Sequence, residues 1–153
     1  MDKFDEKLEQ RVWQRVRGGG NCDSQPGPAA TLQTLALAEQ TSAAVYLMLS
    51  RMAQGPEKTL LRQLFERERQ HSRILSGISI LQDGLPLSLR PVPPDSERVE
   101  TALRKCYSRA LQTMNHYAAR EQDPHYGIIF RQLLHQEQEQ CRMIAQILGM
   151  SGH

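Results

Sequence analysis

Leu61-Arg-Gln-Leu-Phe-Glu-Arg-Glu-Arg-Gln-His-Ser-Arg-Ile-Leu-Ser-Gly-Ile78 is the stretch that decides how this chain folds. At helical spacing Leu61, Leu64, Glu68, His71, Leu75 and Ile78 fall on one continuous face. That face is apolar except at its middle, where Glu68 and His71 stand three residues apart. Burying a lone carboxylate is costly, so the pair needs a partner, a proton or a metal ion.

The flanking sequence repeats the theme. A first long helix is expected over Thr31 to Gln54, with the stripe Leu32, Leu35, Glu39, Ala43, Tyr46 and Leu49, and Glu39 again interrupts an apolar face. Gly55-Pro56 makes a tight turn, and so short a connection sets the two helices antiparallel. The second helix runs from about Glu57 to Gln82 and ends at Asp83-Gly84. Leu85 to Pro94 contains four prolines and reads as a connector long enough to cross a bundle. Asp95 or Ser96 caps a third helix that reaches about Gln122, with the stripe Val99, Leu103, Cys106, Ala110, Thr113 or Met114, and Tyr117. Asp123-Pro124 then opens a fourth helix, with Phe130, Leu133, Glu137, Gln140, Ile144 and Ile147 as its stripe and Gly149 as its stop. No alternating Val/Ile/Thr-rich run suggests a strand. The expected fold is all-α, a four-helix bundle of antiparallel pairs with one long crossover.

Ahead of the bundle, Phe4 to Arg17 reads as a short amphipathic helix with Phe4, Leu8, Val12 and Val16 on its apolar edge and Trp13 beside them. Gly18 to about residue 30 is a flexible linker. The expected organisation is therefore helix 1–17, linker 18–30 and bundle 31–149. The tethered helix docks on its own bundle or on a partner subunit, and a homodimer with this helix as a contact is expected.

Composition narrows the class. The chain has 153 residues, 24% charged and 39% hydrophobic, with net charge +2 and its bases interleaved with acids. No basic block marks a nucleic-acid surface, and Ala43 to Leu49, the longest apolar run, is far too short to span a bilayer. Met1-Asp-Lys-Phe-Asp-Glu lacks the apolar run of a signal peptide. Cys22, Cys106 and Cys141 form neither a CxxC pair nor a disulfide framework, so a reducing cytoplasm is the expected location.

The two helix pairs form an internal repeat. Glu39 precedes Tyr46 as Ala110 precedes Tyr117, and Glu68-x-x-His71 matches Glu137-x-x-Gln140. Antiparallel pairs related by a two-fold axis bring these polar positions to one level. Glu39, Glu68, His71 and Glu137 are then candidate ligands for iron, manganese or zinc, since carboxylates and imidazole suit those ions. Tyr46 and Tyr117 read as core aromatics whose hydroxyls bond a carboxylate. His116, His125 and His135 lie off the stripes and read as surface residues.

Glu39, Tyr46, Glu68 and His71 in paired helices, with Glu137 beyond, resemble the rubrerythrin-like branch of the ferritin-like superfamily. The resemblance spans about Thr31 to Leu148. It implies a dimetal carboxylate bundle, in which two helices each supply a Glu and the other two each supply Glu-x-x-His. A complete site of that family binds two irons and reacts with peroxide or dioxygen. Here Ala110 stands where the third helix would supply a Glu, and Gln140 stands where the second His is expected. The resemblance thus implies a reduced set, Glu39, Glu68, His71 and Glu137, for one or two ions, or for none if the site is no longer used. The chain also lacks the paired CxxC motifs of a rubredoxin-type module, so turnover would require a separate electron donor. The competing expectation is a non-catalytic helical assembly or partner-binding module.

Overall fold

The computed structural model describes residues 30–90 and 93–151. The expected N-terminal helix, nearly all of the linker and Cys22 lie outside them. The described residues form four helices and no strand: α1 (Leu32–Met52), α2 (Gly55–Asp83), α3 (Val99–Ala119) and α4 (Gly127–Ser151). None of them is long and apolar enough to cross a membrane.

Local chemistry sets the boundaries. Thr31 is extended, and its hydroxyl accepts from the Thr34 N–H at 3.1 Å, which caps α1. Gly55, at φ 65°, and Pro56 open α2 at once, so the two helices are joined through Ala53 and Gln54 alone. Gly84, at φ 71°, ends α2 in the left-handed conformation and donates its N–H to Ile80. The third helix begins at Val99, later than Asp95 or Ser96, and no side chain caps it. Asp123 behaves as a cap: its carboxylate accepts from the backbone N–H groups of His125 (2.8 Å) and Tyr126 (2.9 Å). Gly149 does not stop α4, which continues to Ser151. A glycine in open space costs a helix only about 1 kcal/mol, too little to end it where the backbone stays helical.

The connector is tied to the bundle. The Gln33 side-chain amide donates to the Ser88 carbonyl at 2.6 Å and accepts from the Ser88 N–H at 3.0 Å, as a neighbouring strand would. Ser79 donates to the Leu85 carbonyl at 2.8 Å, and Leu87 and Leu89 pack against the core.

In the bundle α1 packs on α2 and α3, and α4 packs on α3 and α2. Two apolar clusters fill it. One joins Leu32 and Leu35 of α1 to Leu75 and Ile78 of α2, Met114 and Tyr117 of α3, and Phe130 and Leu133 of α4. The other joins Tyr46 and Leu49 to Leu61 and Leu64, Leu103 and Cys106, and Ile144 and Ile147. Along α1 and α2 the polar stripe residues Glu39, Glu68 and His71 fall between these clusters in sequence, and on α4 Glu137 and Gln140 fall between Leu134 and Cys141 of the first.

Candidate metal centre

Three helices supply the polar layer. Glu39 comes from α1, Glu68 and His71 from successive turns of one face of α2, and Glu137 from α4. Each replaces an apolar residue on a stripe that packing forces inward, so all four are buried, at 0–3% exposure. The structure brings together all four residues expected from the sequence: one donor atom from each lies within 4.8 Å of the others. No ligand-type residue joins them from α3, where Ala110 is buried among apolar neighbours.

His71 is the hub. Its Nδ1 lies 2.7 Å from Glu39 Oε2 and 3.0 Å from Glu137 Oε1, and its Nε2 lies 2.6 Å from Gln136 Oε1. A proton on Nε2, donated to Gln136, leaves the Nδ1 lone pair facing the carboxylates. Gln136 is the partner that sequence reading missed. It precedes Glu137 off the apolar stripe and reaches the imidazole from the flank, so stripe spacing carried no sign of it. Gln140, where a second His was expected, donates its side-chain N–H to Glu68 Oε1.

Burial disfavours negative charge in this arrangement. Burial above all, and then the charges of Glu137 and Glu68, hold Glu39 well above the usual carboxylate range. Burial and Glu137 also raise Glu68, against the opposing pull of hydrogen bonds from Glu39 and Gln140 and the charge of Arg109. Arg109 is held by the Ser42 hydroxyl, to which its Nε donates at 3.0 Å, and also donates to Cys106 Sγ. Burial raises the Tyr46, Tyr117 and Cys106 groups, so none of them is poised as an anion. The Tyr117 hydroxyl was expected to bond a carboxylate, but it has no hydrogen-bond partner among the described residues. His125 and His135 are exposed and His116 is half-buried, all three apart from the cluster.

Two atoms test whether this group suits a cation. Glu137 Oε2 and Gln140 Oε1 are buried oxygens with no hydrogen-bond partner among the described residues. Buried acceptors are normally satisfied, and an oxygen lone pair facing a cation meets that need. Three carboxylates and one imidazole form a hard, mainly oxygen donor set that suits a divalent first-row ion. The group can therefore hold a metal ion, and its residues fit one. No protein-family model, curated protein or solved structure matches this chain.

Proposed function

We propose that this protein is a ferritin-like, rubrerythrin-like metal protein whose four-helix bundle holds one ion between Glu39, Glu68, His71 and Glu137. The supporting observation is the convergence of four buried donor atoms within 4.8 Å, with Glu137 Oε2 left unpartnered beside them. Iron is the favoured ion, with manganese or zinc as substitutes. When bound, iron would supply a redox-active Lewis acid able to act on peroxide or dioxygen. The chain's own residues do the rest. Gln136 holds the His71 ring with Nδ1 inward, Gln140 orients Glu68, and the two apolar clusters keep bulk water from the carboxylates. Ala110 and Gln140 favour one ion over two, because the third helix brings no carboxylate and an amide oxygen is a poor ligand. Electrons would come from a separate protein.

The test is peroxide consumption by protein loaded anaerobically with ferrous iron, beside a Glu39→Ala, His71→Ala double variant. The proposal expects consumption at least about tenfold above the variant. Equal rates would remove the oxidoreductase reading.

A second reading follows from the hydrogen bonds that tie Gln140 to Glu68 and His71 to Glu39, Glu137 and Gln136. A network so bonded can persist as a structural element of a non-catalytic assembly module. That reading expects no metal after reconstitution.

A further inference from the structure

Taking the metal-binding function proposed above as given, we propose that Arg109 of α3 is a tethered cation that holds the place of a second metal ion, so that the polar layer takes one divalent ion and no more. Arg109 is half-buried. Its Nε donates to the Ser42 hydroxyl at 3.0 Å, and its Nη2 donates to Cys106 Sγ at 3.3 Å. Both acceptors are interior groups. Ser42 is buried on α1, three residues beyond Glu39, and Cys106 is buried on α3, one turn before Ala110. The internal repeat sets Ala110 level with Glu39, so Arg109 bridges α3 to α1 at the height of the carboxylates.

A guanidinium drawn inward normally finds a carboxylate. Here both acceptors are neutral, and among the described residues no carboxylate forms an ion pair with Arg109. Outside it lies a groove that also holds Asp95, Glu97 and Lys105. Lys105 takes up Glu97, and Asp95 is exposed, where water screens it. On the inner side the charge of Arg109 acts on Glu68 and favours its carboxylate form. Charge matching then sets the number of ions. Glu39, Glu68 and Glu137 carry three negative charges when ionised, which one divalent ion and one guanidinium balance. Two divalent ions beside the guanidinium would leave two positive charges in a buried layer, and unbalanced buried charge is costly. A guanidinium keeps its charge at every pH a folded protein meets, so it cannot make way by losing a proton. The missing ligands at Ala110 and Gln140 weaken a second ion; Arg109 opposes it even where carboxylates are shared.

Anaerobic equilibrium dialysis of the full chain against ferrous iron, with bound metal counted per chain, tests this. The parent should bind one ion and take up no second with ferrous iron in excess. Arg109→Gln should bind the first ion about tenfold or more tighter, because a like charge has left the site. Arg109→Lys keeps the charge and should stay within about threefold of the parent. Lys105→Gln removes an exposed cation from the far side of the groove and should leave affinity unchanged. Circular dichroism checks the fold of each variant. Should Arg109→Gln lose helix content, Arg109→Met keeps much of the apolar stem and should show the same tightening. Two ions per chain in the parent would overturn the proposal and leave the metal centre standing. So would a folded Arg109→Gln or Arg109→Met protein that binds no tighter than a parent holding one ion. A parent that binds no ion would remove the metal centre and, with it, the role of Arg109.

Discussion

Nδ1 of His71 stands 2.7 Å from Oε2 of Glu39, joining α2 to α1 through two side chains that water does not reach. A carboxylic acid and an imidazole so placed can share a proton or give it up to a cation. Any ion held here and the stability of the bundle would therefore rest on the same atoms, and substitutions at and around them can separate the two.

Replacing Glu39, Glu68, His71 and Glu137 together by Leu or Met should abolish metal binding yet stabilise the metal-free bundle by about 1–4 kcal/mol, because a buried polar network is often less stable than well-packed apolar side chains. Glu39→Ala alone should destabilise by about 1–3 kcal/mol, since it strands the partners of a buried hydrogen bond. Urea midpoints measure both. A quadruple variant less stable than the parent would show that the network serves the fold first.

Gln136→Ala should lower metal affinity by about 10–100-fold while leaving all four candidate ligands in place. The variant frees His71 Nε2 and with it the ring orientation that points Nδ1 inward. Competition with a chelating dye would read the change, and Gln136→Glu should restore much of it.

Metal-free stability should fall as pH rises. Glu39 in the folded chain keeps a proton that the unfolded chain releases near the ordinary value of 4.5. The folded state thus binds more protons, and stability is full below that value and is lost as pH climbs toward the raised folded one. The slope is at most about 1.4 kcal/mol per pH unit for each such proton. Glu39→Gln removes one group and should flatten the decline that sets in above about pH 4.5. Metal competes with the same protons, so its affinity should rise over this window.

Gly127→Ala should destabilise by about 1–3 kcal/mol without altering metal affinity. A Cβ at this position would run into the Glu121 carbonyl, whose carbon lies 3.1 Å from where it would sit. The loop from Ala119 to α4 closes around the bare glycine. Thermal unfolding in the presence and absence of metal separates the two effects.

The four helices and the inward placement of Glu39, Glu68, His71 and Glu137 were legible because both follow from periodicity. Glu39, Glu68, His71 and Glu137 occupy stripe positions where packing leaves no choice of direction, so spacing alone placed them inward. Gln136 was not legible because side-chain reach, not helical phase, carries it to His71. The Gln33 clamp on Ser88 spans 55 residues and leaves no local trace. Gly84 and Gly149 look alike in sequence, yet only Gly84 adopts positive φ and ends its helix. Tertiary context, not residue type, made that choice.

Whether Glu39, Glu68, His71 and Glu137 hold an ion is decided by the metal content of the full chain after anaerobic reconstitution with ferrous iron and desalting. Elemental analysis would be run beside the Glu39→Ala, His71→Ala double variant. Close to one equivalent per chain is expected, and the variant should lose it. Less than about a tenth of an equivalent, or equal content in the two proteins, would contradict a metal centre at these residues.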